Sequence, residues 1–502
     1  MPKTAPPETT SQSSDGVRHR WLILAVLGVA QLMVVLDATI SNIALPSAQR
    51  DLGFSVADRQ WIVTGYSLAF GSLLLLGGRI ADLFGRKPTL IVGLIGFAGA
   101  SALGGAANGF TMLVTARAVQ GLFGALLAPT TFSLVTTTFT DAKERGKAFG
   151  IFGAIAGTGG AIGLILGGLL TEHLSWRWTL YVNIVFAIVA LAGAIPLLKS
   201  TGRDRSSSLD VPGTILASAG LFGIVYGFSN AETHGWSSPL CWAFIAAGAV
   251  LIVAFLGWQT RARNPLLPLR VVLDRDRGAS FLTLFISGVG IFGIQLFLTY
   301  YLQQVLGFSP VKTGLAFLPM VGAIMVTATG GSAVLAPRVG AKLLVPIGMA
   351  LAAGGTFWLT ALDVDSSYAK DILPALVVAG LGMGIVFSMA MAQSTLGIRP
   401  ADAGAASAMV NTSQQIGGSL GTALLSTLAA SATTNFLSGK NPGNPLVVAK
   451  AAVHGYSTAY TWSAAFYAAG AVVAAALYRR RRDSLAIAAA IPRDERAVAV
   501  HM

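Results

Sequence analysis

Charge is scarce in this chain of 502 residues: Asp, Glu, Lys and Arg together make up 11%, less than half the roughly one-quarter found in soluble globular domains. A chain this poor in charge cannot clothe a water-facing surface. With 54% hydrophobic residues and a mean hydropathy of +0.69, it is also too apolar to be disordered. Cysteine is almost absent. The single Cys241 can neither close an internal disulfide nor build a thiolate metal cage, so the secreted disulfide-rich class is excluded and no metal or other cofactor is expected. The five histidines, His19, His173, His234, His454 and His501, all fall in tails or loops, which leaves no buried imidazole for acid–base work.

What the chain has in quantity is long apolar runs. A bilayer-crossing helix needs about 20 mostly apolar residues, because lipid offers the backbone no hydrogen-bond partner. Fourteen runs meet that need, at Trp21–Ala44, Trp61–Leu76, Pro88–Ala106, Thr111–Thr136, Ala148–Leu170, Trp178–Leu198, Val211–Phe228, Pro239–Trp258, Ala279–Val305, Thr313–Ala336, Leu343–Leu362, Ile372–Gln393, Gly404–Ala430 and Tyr456–Tyr478. The expectation is an all-α integral membrane protein of fourteen transmembrane helices. The first run is too long for a signal peptide and lacks a small-residue cleavage site; residues 1–16, rich in Pro, Ser and Thr, read as a disordered tail.

A net charge of +13 would suggest nucleic acid in a soluble protein. Here position gives it another meaning. If both termini are cytoplasmic, 26 of the 34 Lys and Arg residues lie in inside segments, seven in outside loops, and Arg117 within a span. That asymmetry is the positive-inside pattern, so a multi-pass protein of the cytoplasmic membrane is expected, in contact with lipid and not with nucleic acid.

Two features recur with one offset. The segment Leu83-Phe84-Gly85-Arg86-Lys87 after the second span is echoed by Arg338-Val339-Gly340-Ala341-Lys342 after the tenth. The fifth span is rich in glycine (Gly153, Gly157, Gly159, Gly163, Gly167, Gly168), as is the thirteenth (Gly404, Gly417, Gly418, Gly421). Spans nine to fourteen then repeat spans one to six. The expected division is a tail (1–20), a six-helix bundle (21–198), two inserted helices with flanking loops (199–278), a second six-helix bundle (279–478) and a basic tail (479–502), with substrate between the bundles.

Of 21 acidic residues only Asp37 lies well inside a span, and among basic residues only Arg117 does. A charge at the bilayer centre costs roughly 3 kcal/mol or more, and is usually paired and functional. Asp37 shares a helical face with Ser41; Arg117 shares one with Gln120, Gly121 and Gly124, whose glycines admit a close neighbouring helix. Asp37 reads as a proton site whose pairing changes between two conformations, or else as half of a static pair locking two helices. Polar stripes on span nine (Gln295, Thr299, Gln303) and span thirteen (Ser407, Asn411, Gln414, Gly418) fit a cavity lining and interhelical hydrogen bonds equally well. Trp61 and Tyr66 offer aromatic surface for a ligand, or membrane-interface anchors.

These residues resemble the fourteen-span drug:proton antiporters of the major facilitator superfamily along nearly the whole chain. Leu36-Asp37-Ala38-Thr39-Ile40-Ser41-Asn42-Ile43-Ala44-Leu45-Pro46 looks like that subfamily's first-span motif. Gly78-Arg79-Ile80-Ala81-Asp82-Leu83-Phe84-Gly85-Arg86-Lys87 is similar to the superfamily's loop motif, and Arg117-Ala118-Val119-Gln120-Gly121 to its fourth-span motif. The resemblance implies proton coupling by Asp37 and Arg117, and gating by Gly78, Asp82, Gly85, Arg86 and Lys87. Gly78 and Gly85 would permit close backbone approach, and Asp82 would sit near a helix N-terminus. Helix packing and the antiport motif fall to Gln120, Gly121, Gly124, Gly157, Gly159, Gly163, Gly167 and Gly168, and the polar and aromatic faces offer Ser41, Tyr66, Gln295, Thr299, Asn411 and Gln414 as candidates for a substrate cavity. One departure stands out: Leu164 follows Gly163 where those antiporters carry proline. The implied function is export of small amphipathic or cationic compounds by proton antiport, by a protein acting as a monomer. A proton-coupled importer or facilitator of the same fold is the alternative. An enzyme would need clustered catalytic groups at membrane depth, and a sensor would usually carry a sizeable soluble domain; neither is present in the sequence.

Overall fold

A computed structural model of the chain describes residues 14–55, 58–139, 142–198, 210–262, 265–331, 338–396, 398, 403–441 and 443–479. Among them there is no strand, and fourteen long helices follow one another: α1 (Ser14–Leu52), α2 (Arg59–Phe84), α3 (Arg86–Gly105), α4 (Phe110–Thr138), α5 (Ala142–His173), α6 (Trp178–Leu197), α7 (Val211–His234), α8 (Pro239–Gln259), α9 (Arg275–Tyr300), α10 (Pro310–Met325), α11 (Ala341–Trp358), α12 (Leu373–Thr395), α13 (Ala403–Leu437) and α14 (Pro445–Leu477). Eleven helical stretches of the described residues are long and apolar enough to cross a membrane; α2, α5 and α13 are not among them. The expected N-terminal tail lies outside the described residues as far as residue 13, and the basic C-terminal tail beyond Arg479.

Local chemistry starts and stops these helices. Ser309 caps α10 by accepting from the Lys312 N–H, with Pro310 at the first helical position. Asn444 and Pro445 open α14 in the same way. Asp274 accepts from the N–H groups of Asp276 and Arg277 to start α9, which ends in a π-helical turn, Tyr301–Val305. Gly85 (φ 96°) and Gly340 (φ 81°) make the sharp turns into α3 and α11. Both adopt the left-handed backbone that favours glycine, at the two positions the sequence pairs as repeats.

Helices α1–α6 pack on one another, and so do α9–α14. Lipid gives apolar side chains no reason to leave it, so small residues permitting backbone contact decide such packing. Gly121 of α4 faces the Tyr66 carbonyl of α2, and Gly417 of α13 faces the Phe285 carbonyl of α9. The α5 glycines Gly159, Gly163 and Gly167 meet Leu32, Thr39 and Ile40 of α1. With Leu164 in place of proline, α5 runs unbroken for 32 residues.

Helices α7 and α8 form a pair placed against α2 and α13. Much of α8 faces outward, with Val250 and Val253 67% and 68% exposed. Asp210 fastens this pair. It caps α7 through the Gly213 N–H at 2.9 Å and accepts from Trp258 Nε1 and Gln259 Nε2 of α8, each at 2.7 Å. Burial disfavours its charge, but the bonds from Gln259, Gly213 and Trp258 outweigh that and hold its pKa below the usual carboxylate range. The stabilisation is therefore present above that range and lost as pH falls through the lowered pKa. Asp210→Ala is expected to cost about 2–4 kcal/mol, one cap plus two orphaned donors. Hydrogen exchange should rise in α7 and α8 first; unchanged exchange there would contradict the fastening role.

The two halves share their largest core at the end that carries the α1–α2, α5–α6 and α9–α10 connections (the upper end). The α1–α6 residues that share the largest core with α9–α14 lie there, among them Ile43, Leu45, Ile62, Leu164 and Trp176; farther down, α2 also meets α13, through Leu68 against Ala423 and Gly71 against Gln415 and Ile416. Toward the lower end the first half keeps its own core around Leu27, Leu94 and Phe139.

Candidate functional site

Asp37 is fully buried and Arg117 is 2% exposed. Arg117 Nη1 lies 2.6 Å from Asp37 Oδ2. The other carboxylate oxygen, Oδ1, accepts from Gln120 Nε2 at 3.0 Å and from Asn183 Nδ2 at 2.8 Å. Gln120 also accepts from Arg117 Nη1 at 2.8 Å and donates to Ser101 Oγ at 2.7 Å. Arg117 Nε reaches the Ile62 carbonyl at 3.4 Å, and its guanidinium sits 4.4 Å from the centre of the Tyr66 ring. One ion pair thus gathers side chains from α1, α2, α3, α4 and α6. Every group donating to Asp37 is an N–H. A buried charge left by breaking such a pair costs about 3–5 kcal/mol.

The sequence pointed to Asp37, Arg117 and Gln120, and the structure brings them together. It missed Asn183 and Ser101. Asn183 was within reach as a carboxamide in the otherwise apolar middle of α6; Ser101 carries no local signal at all.

Several other assignments change. Tyr66 is 2% exposed and lies against Arg117. Thr299 is buried and returns its hydroxyl to the Gln295 carbonyl of its own helix. Gln295 accepts from Asn42 Nδ2 at 3.1 Å, and Gln303 Nε2 donates to the Ile43 carbonyl at 3.1 Å. The polar stripe of α9 therefore binds α1 across the boundary between the halves. Ser41 turns back to the Asp37 carbonyl at 2.9 Å. Asn411 is exposed and Gln414 half-buried. Trp61 packs on Tyr226 of α7.

In the loop motif the close approach belongs to Gly77, where any Cβ would run into the Ala125 carbonyl of α4. At Gly78 the nearest atom, on Pro129, is an ordinary 3.7 Å away. Gly85 provides the turn. Lys87 caps the end of α6 by donating to the Ile195 and Leu198 carbonyls, both at 2.6 Å, and Arg79 donates to the Pro265 carbonyl at 3.0 Å. Arg86 opens α3. Gly157 lies within α5, and the Asp82 side chain lies outside what the structure describes. Gly124 meets the Phe70 ring of α2, and Gly168 packs across the boundary on Val311 and Pro310 of α10, opposite the Gly314–Leu164 contact. Beside it, Glu172 of α5 accepts from the Val311 N–H at 3.0 Å.

Two packed helical groups, with an ion pair buried inside one of them, make an all-helical architecture of the multi-pass membrane kind. The chain matches the Major Facilitator Superfamily over residues 27–422 and belongs to that family. Among its relatives are the puromycin resistance protein of Streptomyces alboniger, 47% identical over 93% of either chain, and the cephamycin export protein of Amycolatopsis lactamdurans, 38% identical over 82% of this chain and 85% of the relative. A tetracenomycin C resistance and export protein from Streptomyces glaucescens is 35% identical over 83% of this chain and 78% of the relative. Among solved structures, an auto-inhibited peptide transporter of the POT family superposes with a TM-score of 0.64 over 92% of this chain and 98% of its own, at 17% identity. That likeness speaks for the fold alone.

Proposed function

We propose that the protein exports antibiotic-like small molecules, puromycin among the first to try, across the cytoplasmic membrane in exchange for protons. The observation that carries the coupling is the Asp37–Arg117 pair, fully buried and bonded on both carboxylate oxygens. The relatives that confer resistance to, or export, puromycin, cephamycin and tetracenomycin C support the substrate class. In this reading all fourteen helices cross the bilayer, both termini are cytoplasmic, a placement the distribution of basic residues supports, and the upper end faces outside. Residues 21–198 and 279–478 act as two bundles that rock about their boundary, with 199–278 carried beside them. Closure at the upper end then corresponds to an inward-facing state, with Asp37 paired to Arg117 after releasing its proton. Substrate enters from the cytoplasm between the bundles, where Asn411 and Gln414 are exposed or half-buried. The protein works as a monomer among lipids.

Reconstituted liposomes with an acidic lumen test this directly. Puromycin is expected to accumulate in the lumen against its own gradient, and to stop when a protonophore collapses the pH difference. Equilibration indifferent to the pH difference would favour facilitation; accumulation on the alkaline side would favour proton-coupled import.

A further inference from the structure

Arg59, the first residue of α2, is 4% exposed. Among the described residues no carboxylate lies within ion-pair distance of it, and its Nε has no hydrogen-bond partner. Its guanidinium is instead held by rings of the other half: 4.2 Å from the centre of Tyr300, 5.9 Å from Phe297 and 6.0 Å from Tyr456. Phe297 and Tyr300 belong to α9, Tyr456 to α14, and all three are buried. Tyr300 is steadied by its hydroxyl, which donates to Gln49 Oε1 at 2.8 Å. The cation and its cage therefore sit on opposite sides of the boundary, at the upper end.

We propose that this cage, Phe297, Tyr300 and Tyr456, is a binding site for the cationic group of an organic cation, such as a quaternary or protonated tertiary amine, and that Arg59 is its tethered competitor. This rests on the reading that the halves part at the upper end during transport. Parting carries Arg59 away with α2 and leaves the cage to a ligand. Ring faces attract a weakly hydrated organic cation. With no carboxylate present, the cage gives little to compensate a compact, strongly hydrated metal ion for its lost water. Closure returns Arg59 to the rings and displaces the occupant, so the site acts as an exit station whose direction is set by the proton gradient.

The test is equilibrium binding to the purified full-length protein in nanodiscs, with tetraphenylphosphonium as the cation and triphenylphosphine oxide as its uncharged counterpart. Arg59→Gln removes the competitor, so the ratio of cation affinity to neutral affinity is expected to rise about tenfold, a cation–π interaction's share. Arg59→Lys should return the ratio toward wild type, and adding Tyr300→Leu to Arg59→Gln should erase the gain. An unchanged ratio in Arg59→Gln, or a gain that survives Tyr300→Leu, overturns the proposal. Should Arg59→Gln fail to fold, wild type supplies the second readout. Hydrogen exchange at the start of α2 should increase with tetraphenylphosphonium and not with the oxide, and no such increase also overturns it. Neither readout needs transport, so failure of the cage and failure of the export reading are told apart.

Discussion

Asp37→Asn is expected to abolish proton-driven export and to lower thermal stability at the same time. The substitution keeps the shape of the side chain and one acceptor oxygen for Gln120 and Asn183. At the other position it sets an N–H group against Arg117 Nη1, where the carboxylate oxygen stood at 2.6 Å. Arg117 retains Gln120 and the Ile62 carbonyl but loses its counter-charge inside a buried site. Removing one partner of a buried pair costs about 3–5 kcal/mol, which at 1.4 kcal/mol per decade is two orders of magnitude or more in any equilibrium that depends on the pair. Stability alone does not separate a proton site from a static clamp, because both predict a weakened single variant. The double variant Asp37→Asn, Arg117→Gln separates them. It removes both charges, so the melting temperature should recover much of its loss. A clamp would recover transport along with it. A coupling site would not, because nothing remains to take up and release the proton. Recovery of gradient-driven puromycin accumulation in the double variant would sink the coupling role of Asp37.

The parts of this site that were legible in the sequence are those that advertise themselves locally. A lone carboxylate and a lone guanidinium in apolar runs are visible before any fold is known, because their desolvation cost makes them rare. What they touch is a property of three-dimensional packing. Ser101 is neutral and cheap to bury once bonded, so nothing in its neighbourhood marks it, and Asn183 stands out only as a lone carboxamide that does not name its partner. The stripe of Gln295, Thr299 and Gln303 was legible as a face of α9, and a face does not name its neighbour: Gln295 and Gln303 proved to meet α1. Gly77 and Gly78 differ by one residue and so by about 100° around the helix, enough to exchange a backbone crossing for open contact. Arg59 stood beside a span's end and read as an ordinary outside-loop residue, yet the chain packs it under three rings of the other half. The repeat fared differently, since Gly85 and Gly340 each adopt a positive φ that a side chain would resist, and that requirement is written in the residue type.

The second large effect concerns the crossing of α5 and α10. A Cβ at Gly314 would run into the Leu164 carbonyl, and one at Gly168 would lie 2.6 Å from Val311 Cα and 2.8 Å from the Pro310 carbonyl. Backbone meets backbone in both cases, so no side chain can turn aside to make room. Overpacking of this kind costs about 1–3 kcal/mol. Because the crossing is made between the halves at the upper end, the cost falls on the closed conformation and spares any state in which that end has parted. Gly314→Leu is therefore expected to shift the population toward an upper-open form by about ten- to a hundredfold and to suppress export, while the protein still folds and runs as a sharp species on size exclusion. The contrast is Gly121→Leu, which jams the α2–α4 crossing inside one half against the Tyr66 carbonyl. That contact must persist in every conformation, so this variant should lose stability outright. Spin labels placed at Ser55 and Phe308 would report the distance across the upper end, and a Gly314→Leu protein that is inactive with this distance unchanged would show that the crossing is not where the halves separate.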